Sequence, residues 1–160
     1  MNTIFFDLDG TLLPMNQNLF VRSYLATLTA AFSHINTRPH EFANALWMSV
    51  SDVLKNDGSI SNEQRFRLSF TQYSGVDPLE LKNEFNDYYQ NKFKNLDGIF
   101  APDPIAAQCV RTLRKKGYTT VLSTNPVFPK VATLKRIGWA GLCESDFDYI
   151  TVYENSSYCK

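Results

Sequence analysis

Ile4-Phe5-Phe6-Asp7-Leu8-Asp9-Gly10-Thr11-Leu12 is the stretch on which the reading of this chain turns. An apolar run in extended spacing leads into two carboxylates two positions apart, and a glycine follows at once. Alternate residues of a strand point to the same side, so Asp7 and Asp9 are expected to face one pocket where the strand runs out. A carboxylate pair there can hold a hard cation through oxygen ligands. It can also divide labour between nucleophile and acid/base. Gly10 permits a backbone geometry that other residues resist. A solvated turn after a buried strand would carry the same letters, so the company this stretch keeps must decide.

From about residue 14 to residue 100 the spacing is helical. Over 18–35, Phe20, Tyr24, Leu25, Leu28, Phe32 and Ile35 recur on one face. A second helix carries Phe42, Leu46, Val50 and Leu54 and stops near Asp57-Gly58. Ser61-Asn62-Glu63-Gln64 reads as a capping box opening a third. Asp77-Pro78-Leu79-Glu80 opens a fourth, with Asp as N-cap and Pro at the first helical position. Its face is Leu81, Phe85, Tyr88 or Tyr89, and Phe93. Four consecutive helices with short links make a bundle.

Beyond the bundle the pattern alternates. Asp103-Pro104 starts a helix ending at Gly117, and 118–123 reads as a strand. Phe128-Pro129 begins a helix with Val131, Leu134 and Ile137 inward and Gly138 as its stop, before a strand over 147–152. Strands alternating with helices imply right-handed crossovers and a parallel sheet. Ligands of such sheets bind beyond the carboxyl ends of the strands. Asp7, Thr124 and the loop leading to Lys160 all fall there.

With these residues the chain resembles the haloacid dehalogenase-like hydrolases. Residues 7–12, D-L-D-G-T-L, look like that family's first motif. The strand ending Ser123-Thr124-Asn125 is similar to the second, and Lys160 after the strand over 147–152 fits the third. The acidic loop of the fourth motif has no counterpart. The resemblance implies a parallel Rossmann-like α/β core over 1–14 and 101–160, with a four-helix cap over 15–100 inserted after the first motif. It also implies a core incomplete at its C-terminal end.

By the same resemblance Asp7 is the nucleophile, forming an aspartyl-phosphate, and Asp9 is the acid/base for the leaving alcohol. Thr124 donates to a phosphoryl oxygen, Lys160 neutralises charge at Asp7 and the phosphoryl group, and Asn125 touches substrate. Asp7 and the Asp9 backbone carbonyl hold Mg²⁺. A second carboxylate at Asp9 suits an alcohol leaving group, which favours phosphoester chemistry over carbon–halogen cleavage. The absence of any lysine before Lys55 weighs against the phosphonate-cleaving branch, which places one soon after its first motif. The expected activity is thus a Mg-dependent phosphatase acting on a small phosphorylated metabolite. A phosphomutase, and a non-catalytic fragment or binding module retaining part of the fold, stay open.

Composition limits the partners. Lys plus Arg and Asp plus Glu number 16 each, so overall charge points to neither nucleic acid nor an anionic membrane. No apolar run approaches the roughly 20 residues that span a bilayer. No basic region precedes the first apolar run, which argues against a signal peptide. Cys109, Cys143 and Cys159 are odd in number and lack CxxC spacing, as in a reduced, cytoplasmic protein.

Two expectations attach to an incomplete core. Magnesium should bind weakly, and tight stoichiometric binding in a calorimetric titration would bring Asp146, Asp148 or Glu154 into the site. The strand carrying Ile4, Phe5 and Phe6 should be an edge without charges or prolines to discourage pairing. Self-association of the 160-residue chain through it would be seen by light scattering.

Overall fold

A computed structural model describes residues 2–34 and 38–160. Among them, a parallel sheet forms in the order β1 (Thr3–Phe6), β2 (Thr119–Leu122), β3 (Tyr149–Ile150). Thr3 pairs with Thr119 and Phe6 with Leu122, while Leu122 also pairs with Ile150. The three strands therefore end together, and the segments after them meet at one edge. β1 has a neighbour on one side only among the described residues, and its Phe5 is 64% exposed.

Between β1 and β2 lies the helical insertion: α1 (Gln17–Ala31), α2 (Pro39–Leu54), α3 (Asn62–Ser74) and α4 (Lys82–Asp87). Asn16 caps α1 by accepting from the Leu19 N–H at 3.0 Å. Phe20, Leu28 and Phe32 are buried as expected, and Ile35 lies outside the described residues. The capping box at Ser61 and Gln64 forms in full. On α2 the buried stripe is Phe42, Ala45, Leu46, Ser49 and Val53, rotated from the expected one. Val50 and Leu54 line a cavity instead.

The fourth helix departs most from expectation. Asp77 accepts from the Leu79 N–H at 3.0 Å and also takes the Arg67 guanidinium, Nη2 to Oδ2 2.6 Å. The turn that follows is tight, with i→i+3 bonds such as Leu81 N–H to Pro78 O at 3.2 Å, and regular α geometry begins at Lys82. A π-turn (Tyr88–Lys92) and a 3₁₀ segment (Phe93–Ile99) continue the run. The Phe93 N–H reaches Tyr88 O, an i→i+5 bond. That bond admits an extra residue into the turn, which is why Tyr88 and Tyr89 are both buried rather than one of them. These rings pack with Phe20, Phe32, Phe42, Phe70 and Phe93 into an aromatic core.

The second core lies under the sheet. Leu8, Leu12, Leu13, Val110, Leu122 and Ile137 are buried there, between β1, α5 (Pro104–Lys115) and α6 (Lys130–Trp139). Asp103 caps α5 as expected, accepting from the Ile105 N–H at 2.8 Å. Gly138 does not stop α6. The helix runs one residue further, and Gly141, at φ +71°, ends it in a Schellman turn. Gly141 N–H bonds Gly138 O at 3.0 Å and Leu142 N–H bonds Ile137 O at 3.1 Å. A left-handed residue is needed there, and glycine adopts it without a Cβ clash. β3 is shorter than expected because Asn155 draws the chain away from the ladder, its Oδ1 accepting from the Val152 N–H at 2.9 Å.

Asp146 ties α5 to the short 3₁₀ turn (Glu144–Asp146) before β3. Arg111 donates to its oxygens from Nε and Nη2 at 3.2 Å each, and the Cys143 N–H donates at 2.9 Å. Burial alone would raise the Asp146 carboxyl, but these donors outweigh it and hold it below the ordinary carboxylate range. A depressed native value gives stability that is present above the unfolded value, about 3.9. That stability is lost as pH falls through the native value. Asp146→Asn is therefore expected to lower the urea midpoint at pH 7, with the gap to wild type closing under acid conditions.

No helix among the described residues is long and apolar enough to cross a membrane.

Candidate active site

The turn after β1 is built to present carboxylates. Leu8, Leu12 and Leu13 are buried, and the Leu13 N–H returns to Leu8 O at 2.8 Å while the Gly10 N–H reaches Leu13 O at 2.9 Å. Gly10 makes the reversal at φ +76°. These three leucines anchor the loop in the core and leave Asp7 and Asp9 on the wall of a cavity of about 920 Å³.

Asp7 sits in a polar cradle. Lys160 Nζ donates to its Oδ1 at 2.6 Å, and Thr11 Oγ1 donates to its Oδ2 at 3.2 Å. Lys160 also donates to Ser123 O at 2.8 Å, so its ammonium bridges the ends of β1 and β2. Thr124 is buried, lines the cavity and has no partner for its hydroxyl among the described residues. Its carbonyl accepts from Thr151 Oγ1 at 2.9 Å, which locks the loop after β2 to the end of β3. The structure thus brings Asp7, Asp9, Thr124, Asn125 and Lys160 to one place, although Lys160 is 153 positions from Asp7.

Asn125 has a job the sequence did not suggest. Its Oδ1 accepts the Lys160 backbone N–H at 2.9 Å, so it places the lysine as well as lining the cavity. The segment before Lys160 is further held by the helical insertion. The first two N–H groups of α3 would be unsatisfied within the helix. Asn62 N–H instead bonds Ser156 O at 2.8 Å and Glu63 N–H bonds Tyr153 O at 3.0 Å. The buried Asn62 side chain donates to Pro126 O at 3.1 Å, and Asn56 donates to Ser157 O at 2.9 Å.

Asp9 is turned from Asp7 onto Arg136 of α6, a residue the sequence reading missed. The two form an ion pair. Arg136 is fully buried, with its guanidinium 4.6 Å from the Phe128 ring centroid and 5.8 Å from that of Phe20. The stripe expected on α6 was Val131, Leu134 and Ile137. Ile137 is buried as expected and Val131 and Leu134 pack partly buried against the two cores, while the fully buried stripe also takes in Ala132, Thr133 and Arg136.

Asp146 and Asp148 are not part of the site. Asp148 accepts from the Thr120 N–H at 2.8 Å, at the amino end of β2, and Asp146 lies beside it against Arg111. Both stand at the opposite edge of the sheet from Asp7. Glu154 lines the cavity, but its carboxylate caps α6, accepting the Lys130 N–H at 2.9 Å. Among the described residues, no three acidic, histidine or cysteine side chains group as a metal cluster. The far wall is the insertion, with Phe20, Tyr24 and Trp47 on it. Arg67 lines it too and is already paired with Asp77. His34 and His40 are exposed and do not line the cavity.

A family model described as haloacid dehalogenase-like hydrolase matches residues 1–159. The chain belongs to this family. No curated protein matches it. Two solved structures of L-2-haloacid dehalogenase from Xanthobacter autotrophicus are similar at low identity. One matches with 18% identity and a TM-score of 0.48, and one with chloropropionic acid covalently bound matches with 15% and 0.47. Each match covers all of this chain and 60% of the other, so the chain spans about 60% of the length of those structures. At such identity the substrate of those enzymes does not transfer to this haloacid dehalogenase-like hydrolase.

Proposed function

We propose that this hydrolase cleaves phosphate monoesters of small metabolites through an aspartyl-phosphate on Asp7. The observation that carries the reading is a second carboxylate, Asp9, on the same cavity wall as an Asp7 held by Lys160 and Thr11. An Asp7 oxygen attacks phosphorus in line, and the bond from phosphorus to the substrate alcohol oxygen breaks. Asp9 protonates that oxygen as it leaves. Water then attacks the acyl phosphate at phosphorus, giving up a proton to Asp9, and inorganic phosphate and the Asp7 carboxylate are released. The free Thr124 hydroxyl and the Lys160 ammonium stand where negative charge grows on the phosphoryl oxygens.

The oxygen donors here fit a magnesium ion, which keeps several waters and needs only one or two carboxylates beside substrate phosphate. The Asp7 carboxylate and the Asp9 backbone carbonyl would hold it. Such an ion would supply charge neutralisation between nucleophile and phosphate.

Displacement of halide needs no acid at the leaving group, so Asp9 has work in phosphoester cleavage that it would lack there. The helical insertion acts as the cap, enclosing the substrate's organic part against Phe20, Tyr24 and Trp47. The test is phosphate release from an aryl phosphate, with and without magnesium, beside halide release from a 2-halo acid. Magnesium-dependent phosphate release is expected. Halide release alone would overturn the reading.

A further inference from the structure

Arg136 is the one large charged side chain of α6 on its buried face, and packing alone gives no reason for it. Its stripe neighbours Ala132 and Ile137 are apolar, and an aliphatic residue would fill the space without a buried charge. A guanidinium taken out of water needs compensating partners. Among the described residues Arg136 finds an anion in Asp9 alone, while its Nε and Nη1 are buried without hydrogen-bond partners there. The group is also held in place. The Phe128 ring lies 4.6 Å from it, the Schellman turn stops α6 behind it, and Glu154 caps the helix ahead of it.

The carboxylate is the looser member of the pair. Asp9 stands on a turn, its side chain is 29% exposed and lines the cavity, and its Oδ1 has no partner among the described residues. Asp7 has its own cation in Lys160, so the two carboxylates do not share one. Each is anchored separately, Asp7 from the end of the chain and Asp9 from α6.

We propose that Arg136 is the positioning residue for Asp9, fixing where the acid/base carboxylate of the phosphatase site stands. The proposal rests on the phosphatase reading for its consequence and on the ion pair for its geometry. Misplacing Asp9 should matter in proportion to how much the leaving oxygen needs a proton. A nitrophenolate leaves without one, whereas an alkoxide does not.

The experiment compares wild type, Arg136→Met, Arg136→Lys and Asp9→Asn on 4-nitrophenyl phosphate and on a simple alkyl phosphate, with circular dichroism as the check on folding. Arg136→Met is expected to lower kcat/KM on the alkyl ester by about 10²-fold, with kcat/KM on the nitrophenyl ester, which reports only the steps up to aspartyl-phosphate formation, nearly unaffected. Arg136→Lys, which keeps the charge on a different head group, should recover part of the loss. In the Asp9→Asn background, Arg136→Met should change the ratio between the two esters no further. Equal losses of kcat/KM on both esters, or no loss on either, would overturn the proposal.

Urea denaturation of the four proteins of the Asp9→Asn and Arg136→Met cycle supplies a readout independent of turnover. The two substitutions should be strongly non-additive, and additivity overturns the proposal. Should wild type release phosphate from neither ester, the phosphatase reading fails, and this cycle alone decides whether Arg136 anchors Asp9. If Arg136→Met does not fold, Arg136→Lys carries both comparisons.

Discussion

Asp7→Asn is expected to abolish the proposed phosphate release and to leave the protein folded. An amide cannot serve as the attacking oxyanion, so the loss should reach the detection limit of a phosphate assay rather than a partial slowing. The stability expectation follows from exposure. The Asp7 and Lys160 side chains are 31% and 49% exposed, and ion pairs so wet contribute about 0–1 kcal/mol. Lys160 also keeps its bond to Ser123 O. The urea midpoint of Asp7→Asn should therefore lie close to wild type. Wild-type turnover in this variant would remove Asp7 from the mechanism.

Asp9→Asn is expected to behave differently on both counts. Removing an acid/base typically costs about 10²–10⁴-fold, so some turnover on esters with good leaving groups should persist. Its stability should fall further than that of Asp7→Asn, because the carboxylate removed is the anion facing the fully buried Arg136. Breaking a buried pair by deleting one partner costs about 3–5 kcal/mol. The Asn oxygen can still accept one hydrogen bond, so the lower end of that range is expected. Chemical denaturation of the two variants side by side is the measurement. Equal midpoints would mean that the Asp9–Arg136 pair carries no net stability.

These contrasting outcomes for carboxylates two residues apart arise from what stands opposite each of them. From the amino-acid sequence, Asp7 and Asp9 are equivalent members of one motif. In the folded chain one meets a half-exposed ammonium and the other a buried guanidinium.

What the sequence determined by itself is local. The apolar run before Asp7 makes a strand, since its β-branched and aromatic residues suit an extended backbone. Ser61 and Gln64 start α3, and Asp103 with Pro104 starts α5, because the orphan N–H groups of a first turn must be satisfied within a few residues. The motif residues Asp7, Thr124 and Lys160 were legible because strand ends in a parallel sheet converge on one edge.

Tertiary structure decided the rest. Arg136 and Asp9 are 127 positions apart, and nothing in the spacing around either names the other. The inward face of α6 is wider than the apolar stripe of Val131, Leu134 and Ile137, because the sheet and the aromatic core also turn Thr133 and Arg136 inward. Asn125 lines the cavity, and the approach of the Lys160 backbone also makes it a bracket for the lysine, a role its sequence position did not suggest. Asp146 and Asp148 looked like spare metal ligands because sequence distance does not tell which end of a strand a loop occupies. Periodicity reports which face of an element meets something apolar. The polar partner opposite a given charge is fixed only when distant segments pack, because burial penalises any charge left without one.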